Sequence, residues 1–110
     1  MVARLWTAKA NVSQYSAYVK YFAAHVVPQL KSIDGYLSCK VLTRTHNGVV
    51  EITVVTMWVS MEHIQGFSGP DTETAVVTEE AASLLVEYDR HASHYDIAFA
   101  DPTTAEQKTV

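Results

Sequence analysis

The side chains most capable of chemistry in this chain are histidines. An imidazole takes up and returns protons near neutrality, so a histidine held in a pocket can act as a general base. His25 follows Phe22 by three residues, on the flank of an apolar stripe. Two roles are open to it: a base, or a half-buried histidine bonded to a backbone carbonyl. His63 falls in the first turn of a short helical segment, where it could reach across a pocket mouth or sit in solvent. His91 and His94 lie near the C-terminal end, with Asp96 two residues after His94 and therefore on the same strand face. Such a pair could be a base with its orienting carboxylate, although same-strand neighbours stand about 7 Å apart. A metal site would need His91, His94 and a third ligand. No His-x-x-x-His with a glutamate is present, so no metal is expected. The single cysteine, Cys39, can form neither an internal disulfide nor a four-cysteine zinc site. No glycine-rich phosphate loop occurs.

These residues need elements to position them. Residues 2–8 are β-branched, aromatic and short of polar groups, which predicts a strand. Ser13 is a candidate cap for a long helix whose stripe runs Tyr15, Tyr18, Val19, Phe22, Val26 and Leu30. Pro28 should kink it, because proline removes one N–H and crowds the preceding turn. Asp34-Gly35 ends it. Residues 36–45 and 49–59 read as two strands joined by Asn47-Gly48, the pair that a tight type I′ turn requires. Both faces of the second strand are largely apolar, so it should lie centrally and be covered on both sides. Ser60 is a candidate cap for a helix over 61–67, and Gly69-Pro70-Asp71 breaks it. Helical pieces are expected at 72–76 and 78–85, the latter capped by Thr78 with Glu79 and Glu80 in its first turn. Residues 91–99 form the last strand. The order is β-α-β-β-α-β, the ferredoxin-like α+β arrangement with an antiparallel sheet and helices on one face. Residues 1–100 form the domain, and 101–110 read as a polar, mobile tail.

Composition bounds the function. The chain has 110 residues, 48% of them hydrophobic and 18% charged, which suits one folded domain with one modest core. Eight basic residues against twelve acidic ones give a formal charge of −4, which disfavours nucleic acid as a partner. No apolar run approaches the length of a membrane span, and no secretory leader is evident. A cytoplasmic protein is expected. Two helical segments can cover one sheet face only, so the other face predicts a homodimer.

The chain resembles the antibiotic biosynthesis monooxygenase domain of the dimeric α+β barrel superfamily. The likeness rests on Ala3-Arg4-Leu5-Trp6, the first helix ending in Ile33-Asp34-Gly35-Tyr36, and the Trp58-Val59-Ser60 strand-to-helix junction leading to Ile64 and Phe67. Gly69 with Asp71 and the closing His94-Tyr95-Asp96-Ile97 complete it, over about residues 2–99. The resemblance implies homodimers whose sheets pack face to face, with a pocket between sheet and helices in each subunit. Haem-degrading relatives carry an Asn, a Trp and a His ligand where this chain has Leu5, Phe67 and Val77, so no haem cofactor is expected. Cofactor-free relatives that oxidise anthrones share Trp58, but their Asn and Tyr fall at Val54 and Ile64.

The function expected is therefore a small monooxygenase without a cofactor, acting on an aromatic or polyketide-type molecule in an apolar pocket. His25 and His63 are its candidate bases, with His25 placed first because its surroundings should be partly desolvated. Tyr18, Phe22, Trp58 and Phe67 are the candidate pocket walls. The alternatives are a polyketide cyclase or isomerase of the same fold without O₂ chemistry, and a non-enzymatic small-molecule binding protein.

Overall fold

A computed structural model describes residues 1–102. The first strand, β1, runs Val2–Asn11 and continues three residues past the expected end, because Lys9, Ala10 and Asn11 pair with Glu51, Val50 and Val49. The first helix does not run unbroken. An α-helical segment, α1 (Tyr15–Tyr21), passes into a π-helical turn (Phe22–Val26), and α-helix resumes as α2 (Val27–Lys31). The Val27 N–H reaches back five residues to the Phe22 carbonyl. Pro28, which has no N–H to give, then sits in the first turn of α2, where a proline is tolerated. The discontinuity expected at Pro28 thus falls just before it, as a widened turn. Ser13 does not cap this helix: the capping position is Gln14, and no side chain bonds the first turn.

Strands β2 (Tyr36–His46) and β3 (Val49–Trp58) form the expected hairpin, with Asn47 and Gly48 both at positive φ, 51° and 77°. Helix α3 spans Met61–Ser68 and α4 spans Glu79–Ser83. Thr78 caps α4, its oxygen accepting from the Ala81 N–H at 3.1 Å. Ser60 occupies the capping position of α3 but bonds the His63 ring instead of the backbone. Residues 72–76 are not helical. They run as a turn and an extended stretch tied by a bridge between Thr74 and His91. The last strand, expected over 91–99, is shorter, β5 (Ser93–Asp96), and a two-residue strand that was not expected, β4 (Glu87–Tyr88), precedes it. Both pair antiparallel with β1, at different points along it. Residues 103–110, most of the expected tail, lie outside the described residues.

The sheet order is β2-β3-β1-β4, with β5 also on β1, all antiparallel. This is the ferredoxin-like α+β arrangement. Alternation assigns the faces. Val50, Ile52, Val54, Thr56 and Trp58 of β3 point to the helices and are buried. They pack with Tyr18, Phe22, Leu30 and Ile64 into one core. The opposite residues, Val55 and Met57 among them, are half-buried, and Leu42 and Tyr95 beside them are 51% and 56% exposed. Within one chain, therefore, β3 is central but covered on one side only.

Gly35 links the two halves of the fold. Its φ is +88°, and a Cβ there would collide with the His63 ring. Gly35→Ala should lower stability by about 3 kcal/mol, about half from the left-handed backbone and half from the collision. Placed in a His63→Gly background, which also removes the His63 Cβ that the new methyl would meet, the same change should cost only the backbone share. Urea denaturation of the four proteins in the cycle measures both parts.

Candidate functional site: an aromatic cleft with a buried arginine

Between sheet and helices lies a cleft that opens to solvent. The sheet supplies Arg4, Trp6, Val54 and Thr56, and the first helix supplies Tyr18, Tyr21, Phe22 and His25. Phe67 of α3 closes one side, and residues 75–78 lie over it. The wall is largely aromatic: Trp6 to Tyr18 and Tyr18 to Phe22 each measure 6.4 Å between ring centroids. The π-helical turn carries three lining residues, Phe22, His25 and Val26.

The structure thus brings four of the expected site residues together: Tyr18, Phe22, Phe67 and His25. Trp58 is fully buried behind the wall, 6.4 Å from Phe67 between centroids, its indole N–H donating to Thr56 Oγ1 at 2.8 Å. It is not a lining residue. His63 also lies away from the cleft, packed over Gly35, with Nδ1 2.8 Å from Ser60 Oγ and Nε2 3.7 Å from Asp34. The burial expected for the two histidines is reversed. His63 is half-buried, whereas His25 is exposed at the mouth of the cleft, its ring 5.1 Å from that of Tyr21. The widened turn places His25 there, outside the packed stripe. Tyr21 in turn meets Thr78 Oγ1 at 2.7 Å, joining the helix to the covering segment. Burial, with a smaller contribution from Tyr21, holds the Tyr18 phenol well above its usual range, so it remains a neutral donor.

Leu5, expected on the cleft side from the resemblance, is on the other sheet face, opposite Val55. The cleft-facing residues of β1 are its neighbours Arg4 and Trp6. Arg4 is the residue that sequence reasoning missed, although it stands inside the quoted motif. It is only 5% exposed. One Nη1 hydrogen goes to the Thr72 carbonyl at 2.5 Å, and Nη1 also meets His94 Nε2 at 2.9 Å. Nη2 donates to the Thr74 carbonyl at 3.3 Å, and the guanidinium carbon lies 5.9 Å from the Phe67 ring centroid. The available signal was a charged residue at an inward position of an otherwise apolar strand. His94 does not pair with Asp96 as a base and its carboxylate; it bonds Arg4. Because Arg4 donates, His94 Nε2 accepts, which fixes the neutral tautomer with its proton on Nδ1. Among the described residues, no group of three or more His, Cys, Asp and Glu side chains is arranged to hold a metal ion.

Burial, helped by the Arg4 charge, pulls His94 below its ordinary value of 6.5, and Glu73 opposes the shift. The unfolded chain therefore protonates this side chain at higher pH than the folded one. Its contribution to stability is complete above about pH 6.5 and is lost as the pH falls through the depressed value. Unfolding free energies at pH 7.5 and pH 5 should show this loss, and His94→Gln should reduce the slope. In NMR titrations, Arg4→Met should raise the His94 midpoint.

No protein-family model and no curated protein sequence matches the chain. Solved structures do. A Bacillus cereus protein named as an antibiotic biosynthesis monooxygenase superposes with a TM-score of 0.64 at 16% identity, over 90% of this chain and 94% of its own. An Arg-to-Ser variant of MhuD, with two manganese protoporphyrin IX molecules per active site, gives 0.58 at 18%, over 91% and 97%. A Chloroflexus aurantiacus protein, also named as an antibiotic biosynthesis monooxygenase, gives 0.54 at 20%, over 90% and 94%. At these identities the likeness is one of fold, and it spans nearly the whole chain: this is the α+β, ferredoxin-like architecture of the antibiotic biosynthesis monooxygenase structures.

Proposed function

We propose that the chain is a small oxygenase that acts on an aromatic, polyketide-type molecule in the cleft. The observation that carries this reading is the cleft itself, an aromatic pocket with an imidazole at its mouth, in a fold shared with proteins named as monooxygenases. His25 is the base. It removes a proton from an acidic phenol or anthrone, and the electron-rich anion passes one electron to O₂. The radical pair combines to a peroxide, which takes back the proton. For an anthrone, loss of water leaves the quinone, so that one O₂ yields one new carbonyl oxygen and one water. The neutral Tyr18 phenol is placed to donate to the developing oxyanion. Tyr18, Phe22 and Phe67 hold the ring system.

Haem is not the group this cleft fits. Val77, where haem-degrading relatives carry their histidine ligand, lines the cleft and cannot bind iron. The two cleft-facing positions of β1 near this point are Arg4 and Trp6, neither of them an asparagine. A cyclase or isomerase would use the same base without O₂, and a binding protein would use none. Oxygen consumption with a panel of anthrones and phenols separates these readings. His25→Ala should lower kcat/KM by about 10²–10⁴-fold, and His63→Ala should leave it nearly unchanged. Substrate conversion without oxygen uptake would favour the cyclase, and ligand binding without turnover the binding protein.

The same reading includes a second copy of the chain. The outer sheet face is charged at the hairpin end, where Arg44–Glu51 and Lys9–Glu87 pair. Toward the other end it is apolar, through Ala3, Leu5, Val55, Met57 and Tyr95. A two-fold pairing over that end would bury it. Light scattering at micromolar concentration should give the mass of two chains, and Val55→Glu should give one. A monomeric wild-type protein would refute the pairing.

A further inference from the structure

Arg4 is a buried cation that no carboxylate among the described residues neutralises. Among the described residues, the ion pairs are Lys9–Glu87, Arg44–Glu51 and His63–Asp34, and none involves it. Its partners are two carbonyls and a neutral imidazole. None of the residues lining the cleft is Asp or Glu. A guanidinium has five N–H groups. Three are directed at Thr72, His94 and Thr74, which leaves two with no partner among the described residues. Burying an ion without a counterion is costly, and a neutral side chain could tie the 72–74 segment to β1 at less cost. A purely structural strut therefore accounts for three of the hydrogen bonds but not for the charge or the two remaining donors.

From this geometry we infer that the cleft takes an organic anion, an aromatic carboxylate whose acid group pairs with Arg4. The inference rests on the aromatic-cleft reading above and narrows it to a class of ligand. Carboxylates suit a guanidinium because two oxygens can meet two N–H groups of the fork. The ring edge bearing the acid would lie between Trp6 and Phe67, where Phe67 already faces the guanidinium. The acid and that edge would lie at the Arg4 side of the cleft, and the rest of the ring system would extend toward His25. The group that reacts is then the part of the molecule distant from the acid. The protein's overall charge of −4 opposes anion approach at long range, so affinity must come from this contact.

The test compares 2-naphthoate with 2-naphthamide, of nearly the same shape without the charge, by titration calorimetry on the full chain. The acid should bind about tenfold or more tightly than the amide, and Arg4→Gln should abolish the preference while leaving amide binding in place. If Arg4→Gln does not fold, as judged by circular dichroism, Arg4→Lys replaces it. That variant keeps the charge but loses the fork, and should weaken the acid alone by about tenfold. Equal binding of acid and amide would overturn the inference and leave the aromatic-cleft reading standing. A preference that survives Arg4→Gln, or is unchanged in Arg4→Lys, would also overturn it by assigning the charge recognition elsewhere. Binding of neither probe would overturn both readings.

Discussion

A guanidinium buried beneath the helical layer is the contact on which the rest of this structure converges. Arg4 stands on β1, the strand that pairs with β3, β4 and β5. Its hydrogen bonds reach the 72–74 segment and β5, and its flat face lies toward Phe67 of α3. Four parts of the chain that are distant in sequence therefore meet at one side chain. Burial lowers its pKa, yet a guanidinium in this setting remains charged. Its neighbours have had to adapt. His94 is held neutral as an acceptor, and residues 72–74 present carbonyls where a helix would have used them internally. This is a physical reason why the segment from 72 to 76 is not helical.

The two sheet faces divide the remaining work. The inner face supplies the core and the sheet side of the cleft. Trp58 behind Phe67, with its N–H satisfied by Thr56, stiffens the wall without touching the space it encloses. The outer face carries charge pairs at the hairpin end and apolar side chains at the other. The cleft lies on the inner face, against Arg4, Trp6, Val54 and Thr56. Assembly across the outer face would thus stabilise the sheet without rearranging the pocket.

Much of the fold was legible because it depends on local chemistry. Asn47-Gly48 dictates its turn, Thr78 its cap, and the alternation in β3 its two faces. The parts that were not legible depend on partners distant in sequence. Ser60 has the residue type of a helix cap, but His63 takes its hydroxyl. The short β4 was not expected, because only its pairing with Ala8 and Lys9 of β1 makes it a strand. Site residues were read from helical spacing, which placed Tyr18, Phe22 and His25 on one side of the first helix. Spacing carries no information about depth, so Trp58 behind the wall and Phe67 in it looked alike. It also ranked the burial of His25 and His63 in the wrong order. The inward arginine was visible in the sequence, but only strand pairing shows that Arg4 and Trp6, not Leu5, face the cleft.

The π-helical turn has a consequence for how this helix could change over generations. A single-residue deletion inside an ordinary α-helix rotates everything beyond it by about 100°, which scrambles the buried face. At a π-helical turn the chain already holds one residue in excess of the α-helical repeat. Removing one there, Ala23 or Ala24, would leave the phases of α1 and α2 as they are, with Tyr18 and Leu30 still pointing inward. What would alter is the local course of the backbone around His25. The helix can thus gain or lose a residue at the place where its imidazole meets the cleft mouth, and nowhere else so cheaply.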